Sequence, residues 1–314
     1  MMINKLNNLV ILFLIVNVGF CIAQDKPLKI KSERNPDNSV TFSYTKKSPG
    51  STYIILKFKE LTNTSSSTIR RTINGRSGRL TTLKPMDPKS GIGFSYSYTF
   101  IDGNSRAKPE TDFKYILPFK DGKKITVRTL NYLGKKFGNT EPKNWASFQF
   151  LAEPNDTVYA SRKGMVVKIV DEFNSDLTAE YNFKNKSNYI IIEHEDGTLA
   201  RYGVLKKNSI MVKLGSKVYP LTPLAIAGSY DKPENSQLRF SVYYLDPDIL
   251  ELNNNKSTLK NQKHYYIYVN PLFYNGEDDS TTKLIPNNDY ITFCNNAIIE
   301  AEMTKREKKK ILKK

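Results

Sequence analysis

The chain has 314 residues, 39% of them apolar and 11% aromatic. That composition suffices for a packed core and excludes a disordered polymer, and the length leaves room for two domains of ordinary size. The formal net charge of +17 is the one compositional extreme, and it implies anionic surroundings.

Residues 9–20 (LVILFLIVNVGF) form an uncharged apolar run behind Lys5, followed by Cys21, Ile22 and Ala23. This run is short of the roughly 20 residues that span a bilayer, and its small terminal residue fits a signal-peptidase site after Ala23. Residues 1–23 are therefore read as a signal peptide that sends the protein across the inner membrane, to the periplasm or the cell exterior, with an uncleaved anchor as the alternative. Its removal takes Cys21 and leaves Cys294 alone, so stability must come from packing and not from an internal disulfide.

Residues 24–38 are polar and extended. Strands are expected at residues 40–44, 53–58, 72–73, 79–83 and 94–101, the last alternating aromatic residues with Ser or Thr. Seven or so short strands, with turns about every ten residues, predict a small sandwich in a β-rich domain over residues 24–108. Residues 104–108 are its linker, and the domain carries no cluster of titratable groups.

Residues 150–243 hold the densest strand signal. Runs at 157–160, 165–170, 188–194, 199–202, 210–213, 223–228 and 238–243 are β-branched and aromatic, and each is bounded by Gly, Asn, Asp or Pro. Antiparallel strands joined by tight turns have this appearance, and no helical period interrupts them. A further strand at 265–269 closes at Asn270 and Pro271. Residues 297–303 continue as a helix into residues 305–314 (KREKKKILKK), with acids early and bases late, as the helix dipole favours. This tail lacks the aromatic interleaving of a nucleic-acid platform, so nucleic acid is not an expected partner. A solvated helix end and attachment to anionic envelope polymers or lipid headgroups both fit it. The fold expected is mainly β: an N-terminal sandwich, an antiparallel β-sheet core over residues 109–275, and a C-terminal extension over 276–314 with a short basic helix.

Several local patterns in the core resemble a known family. Residues 115–119 (YILPF) with Gly122 and Lys123 resemble its lead-in strand, and residues 158–160 (VYA) followed by 164–167 (GMVV) resemble its V-[YC]-A-x3-G-x-V-V stretch. Residues 188–198 (NYIIIEHEDGT) resemble its N-Y-I-I-I-x-H-x-D-G-T hairpin, while Gly215, Lys217 and Val218, and then Leu238, Phe240 and Val242, resemble its closing strands. Over about 130 residues the chain resembles the β-sheet core of the lysostaphin and LytM type zinc endopeptidases, family M23, in a degenerate form like that of flavobacterial envelope proteins.

The resemblance implies a zinc ion held by the His and Asp of an H-x3-D pattern and by the second His of an H-x-H, with two further histidines assisting. Position by position, the Asp is replaced by Gln149 and the His four residues before it by Trp145; the His of the Y-x-H-L stretch is Val204, and the H-x-H pair is Gln237 and Arg239. Amide, indole, methyl and guanidinium groups are not zinc ligands, and the fixed cation of Arg239 repels a metal ion. Of the two histidines of the chain, His194 sits in the hairpin, which the family does not use for zinc, and His264 lies after the core; both read as strand or surface residues. No catalytic residue, metal site or cofactor is therefore expected. Trp145, Gln149, Gln237 and Arg239 are the candidate ligand-binding residues, with Arg239 suited to a carboxylate of a peptidoglycan stem peptide. A blander reading has Arg239 and Gln237 filling the vacated pocket, with Arg239 paired to Glu153 or Asp156. Expected partners are peptidoglycan or its stem peptides, an active envelope hydrolase under its regulation, and anionic polymers bound by the tail. Two other readings stay open: an active zinc-dependent peptidoglycan endopeptidase with displaced ligands, and a basic surface or adhesin protein in which both β units are scaffold.

Overall fold

A computed structural model describes residues 26–132, 141–174, 186–246, 264–276 and 279–311. The expected signal peptide and the last three residues of the basic tail lie outside them.

The N-terminal unit has six strands: β1 (Leu28–Arg34), β2 (Val40–Lys46), β3 (Thr52–Thr62), β4 (Thr68–Ile73), β5 (Ser77–Leu83) and β6 (Gly93–Asp102). They form two three-stranded sheets, ordered β1-β2-β5 and β4-β3-β6. Period-two alternation decides what each face buries. Val40, Phe42 and Tyr44 of β2 join Ile54, Leu56 and Phe58 of β3 in one apolar cluster. On the opposite face of β3, Tyr53 and Ile55 pack with Leu245, far along the chain. The polar opening segment, expected as extended chain, supplies a true strand, because Leu28 and Ile30 are buried while their neighbours stay exposed.

The remaining strands are β7 (Lys114–Tyr115), β8 (Lys124–Thr129), β9 (Phe148–Leu151), β10 (Thr157–Tyr159), β11 (Gly164–Val170), β12 (Asn188–Glu193), β13 (Leu199–Leu205), β14 (Lys217–Val218), β15 (Pro223–Ile226), β16 (Gln237–Leu245), β17 (Tyr266–Val269), β18 (Leu272–Tyr274), β19 (Thr281–Thr282) and β20 (Asp289–Ile291). The large sheet runs β14-β11-β12-β13-β16-β9-β8-β20, with β17 also paired to β16. One of its faces carries Val166, Ile190, Tyr202, Phe240 and Phe150 into a core shared with Phe119 and Phe273. The other face forms a groove that carries Gln237, Arg239 and Ser241 of β16.

The protein is mainly β, as expected, but three boundaries differ. Residues 210–213 do not form a strand: Met211 N bonds Leu224 O, yet no ladder continues and the Met211 side chain is exposed. The lead-in strand ends at Tyr115, and Ile116 and Leu117 are buried without joining it. The C-terminal extension supplies strands as well as a helix, since β20 pairs with β8 and β19 with β18; strands this short carry no readable period. Beyond them lie two helices, α1 (Asn296–Glu300) and α2 (Lys305–Ile311), where the sequence suggested one. The break has a chemical cause. Thr304 Oγ1 accepts from Glu307 N, and Glu307 Oε2 accepts from Thr304 N at 2.9 Å, a capping box that starts a new helix.

The β2–β3 turn fastens the sandwich to the sheet. Strand β11 has a bulge between Val166 and Lys168, and Ser48 Oγ donates to the Val167 carbonyl at 2.9 Å. Ser51 N donates to Glu193 Oε2 at 2.7 Å, and Lys46 Nζ donates to the Gly50 carbonyl. Gly50 is squeezed into this joint: a Cβ there would lie 2.4 Å from Val167 Cγ1 and 2.5 Å from Glu193 Oε2. Gly50→Val should therefore cost about 1–3 kcal/mol of stability through overpacking. Urea denaturation followed by the fluorescence of Trp145, the one tryptophan of the chain, measures this; an unchanged midpoint would mean that the joint is loose.

Candidate functional site

Strand β16 lies between β13 and β9, and its alternation sends Leu238, Phe240 and Val242 into the core. Gln237, Arg239 and Ser241 consequently face the groove. Across β9 the register pairs Gln237 with Leu151 and Arg239 with Gln149. The three polar side chains meet there. Gln149 Nε2 donates to Gln237 Oε1 at 3.0 Å, and Arg239 Nε donates to the same oxygen at 3.3 Å. Gln237 is thus an acceptor shared by two donors; Arg239 is half-buried, and its guanidinium carbon lies 4.8 Å from the centre of the Tyr230 ring.

The aromatic wall beside Arg239 is Tyr230, where the sequence pointed to Trp145. Trp145 Nε1 donates to the Leu130 carbonyl at 2.7 Å, and its ring packs against Tyr268 at 4.5 Å and Tyr132 at 5.1 Å. Tyr268 pairs with Tyr243, four residues from Arg239 along β16, or roughly 13 Å at strand spacing. Trp145 therefore belongs to the far end of the groove. Glu153 and Asp156, expected as partners of Arg239, are held instead by Lys123 at 2.9 Å each. Val204 is buried, with φ at 64°, a region where a β-branched side chain is strained; its carbonyl accepts from Gly228 N at 2.8 Å. Such strain concentrates at functional sites.

Neither histidine joins this cluster. His264 Nε2 lies 2.9 Å from the Tyr132 hydroxyl, near Trp145. His194, read as a strand or surface residue, is buried, with Nδ1 2.7 Å from the Lys163 carbonyl and Nε2 without a partner. Burial first, and the charge of Arg162 second, push its pKa down to about 4. Among the described residues no three His, Cys, Asp or Glu side chains are grouped to hold a metal ion. At Gln149, Gln237 and Arg239 the donor set, two amides and a fixed cation, does not suit zinc.

The match to known families falls on this sheet: residues 143–256 fit the model of peptidase family M23. This stretch of the chain is M23-like. No curated protein is detectably similar to the whole sequence. Among solved structures, the SpoIIQ–SpoIIIAH pore-forming complex shares 18% identity over 42% of this chain and 84% of that one, with a TM-score of 0.30. A putative glycyl-glycine endopeptidase LytM from Ruminococcus gnavus shares 15% over 51% of this chain and 57% of its own, with a TM-score of 0.29. Csd3 from Helicobacter pylori shares 11% over 90% of this chain and 83% of its own, also with a TM-score of 0.29. At TM-scores this low none of them bears on what the M23-like sheet binds.

Besides Tyr230, the groove holds another residue that the sequence did not single out. Arg201 of β13 lies beside this cluster, its guanidinium carbon 4.3 Å from the centre of the Tyr189 ring. Period two was the available signal, since Arg201 and Gly203 share a face and Gly203 pairs with Arg239.

Proposed function

We propose that this chain is a secreted, non-catalytic M23-like envelope protein that binds peptidoglycan stem peptides by a free carboxylate. The observation that carries this reading is the cluster of Gln149, Gln237 and Arg239 in one register of the groove, where the half-buried Arg239 has no carboxylate partner among the described residues. A guanidinium fixed at one nitrogen and open at its other edge is suited to donate bidentately to a carboxylate. The same cation makes a bound zinc ion unfavourable, so the protein works by recognition and does no metal-dependent hydrolysis. In the envelope it would present or withhold stem peptides, or regulate an active hydrolase that acts on them. The basic α2 helix adds an electrostatic contact with anionic polymer: Lys305, Arg306 and Lys309 are exposed, while Glu307 anchors the helix to Lys163 and Lys217 at 3.1 and 3.0 Å.

Titration calorimetry with a stem peptide ending in a free carboxylate tests the reading. Arg239→Met should lose about 1.5–3 kcal/mol of affinity, the worth of a charge-assisted hydrogen bond. Equal affinities for the wild type and the variant would leave the polar cluster as filler of a vacated pocket. Stoichiometric zinc retained by the purified protein after dialysis would replace the proposal with a working peptidase.

A further inference from the structure

We propose that the groove carries a second anion subsite built on Arg201, and that Arg201 and Arg239 together select peptides bearing two free carboxylates. This deepens the reading of Arg239 as a carboxylate anchor and rests on it.

Strands β13 and β16 are adjacent and antiparallel, with Arg201 opposite Ser241 and Gly203 opposite Arg239. All four residues share the groove face, so the two arginines start one strand apart and two residues along, a separation of about 8 Å. Gly203 gives Arg201 access to the floor between them. A Cβ at Gly203 would lie 2.7 Å from Arg201 Nη1. The guanidinium lies against the Tyr189 ring, and Lys168 Nζ is 5.9 Å from the centre of the same ring. Arg201 has no ion pair or hydrogen bond among the described residues, so a half-buried cation is held in place by a ring with its donors unspent. A bidentate carboxylate acceptor suits such a group.

The surroundings limit what can extend past the second carboxylate. Beyond Arg201 the groove opens into a cavity of about 400 Å³, within the roughly 300–1,000 Å³ of small-molecule pockets. Its sheet side carries Lys168, Arg201, Tyr243 and Tyr266, while Ser51 and Asp102 of the sandwich form the opposite wall. The sandwich, which carries no cluster of titratable groups, thus contributes one wall of the site. Asp102 opposes a further acidic group in the part of the ligand that extends past Arg201. The ligand class is a short peptide with two carboxylates about one residue apart, such as a γ-linked glutamate that keeps its α-carboxylate and is followed by a free C-terminus.

The test is a calorimetric cycle with the peptide Ala-γ-D-Glu-Lys, its two mono-amides and its bis-amide, on the full chain. The wild type should prefer the diacid to either mono-amide by about 10- to 100-fold. Arg201→Met should lose a comparable factor for the diacid and become indifferent to one of the two amidations, while Arg239→Met becomes indifferent to the other. Gly203→Ala keeps both cations but displaces the Arg201 guanidinium, and it should reproduce the Arg201→Met pattern. If Arg201→Met binds all four peptides as the wild type does, while Arg239→Met is impaired, the second subsite is wrong and the Arg239 anchor stands. If the wild type does not distinguish the diacid from the bis-amide, both readings fall. Unchanged melting temperatures of the variants separate lost binding from lost folding.

Discussion

Replacing Arg162 with Met should destabilise the protein by about 3–5 kcal/mol, the cost of removing one partner from a buried ion pair and leaving a charge behind. Arg162 is fully buried in the turn between β10 and β11. Its Nη1 donates to Asp196 Oδ2 at 2.8 Å and to the Tyr115 hydroxyl at 3.2 Å, and its Nη2 donates to Glu302 Oε1 at 2.8 Å. The Phe113 ring lies 3.8 Å from the guanidinium carbon. Glu110, at 3.3 Å, is largely exposed and adds little through solvent, but Asp196 is buried and would be left with its charge. Because Glu302 follows α1, the same arginine latches the C-terminal segment to the sheet. Chemical denaturation measures the loss, and limited proteolysis should cut the released α1–α2 segment first. A loss under about 1 kcal/mol would mean that water or a rearranged side chain compensates Asp196.

This knot shows which parts of the molecule were legible in the sequence. The 188–198 hairpin was, because its determinants are local. Alternating Ile190 and Ile192 set the buried face, Asp196 Oδ1 accepts from Thr198 N at 2.9 Å, and Gly197 supplies the φ of 85°. The role of Arg162 was not legible, because its partners lie 34, 47, 52 and 140 residues away, and nothing in an Arg-Lys-Gly turn distinguishes a buried cation from a solvated one. The groove divides similarly. The register that brings Gln149 to Arg239 follows from the strand pattern, whereas the position of Trp145 depends on Leu130, Tyr132 and Tyr268, which only the folded chain gathers. The capping box of Thr304 and Glu307 was written in the tail, but the run of cations around it concealed the break.

Stability should also fall steeply between pH 6.5 and pH 4, and His194 is the main cause. Its imidazole is surrounded by Tyr115 from β7, by Arg162 and the Lys163 carbonyl from the turn before β11, and by Asp196 from its own hairpin. Protonating it would place a second cation in a buried site beside Arg162, with an Nε2 hydrogen that finds no acceptor among the described residues. Its pKa is pushed from 6.5 down to about 4, so the unfolded chain binds this proton at a higher pH than the folded one. The contribution is complete above pH 6.5 and is lost as the pH falls to 4, amounting to about 3 kcal/mol. Two carboxylates of the knot act elsewhere. Asp196 is held below its usual range by Thr198 and Arg162 despite burial, so its contribution is lost at lower pH. Burial raises Glu302, which gains protons earlier in the folded state and offsets part of the loss near the bottom of the window. The variant His194→Asn keeps a donor for the Lys163 carbonyl and removes the titration. Its urea midpoint should be nearly flat from pH 6.5 to 5, where that of the wild type declines. Parallel declines in the two proteins would move the acid sensitivity away from His194 and onto the carboxylates.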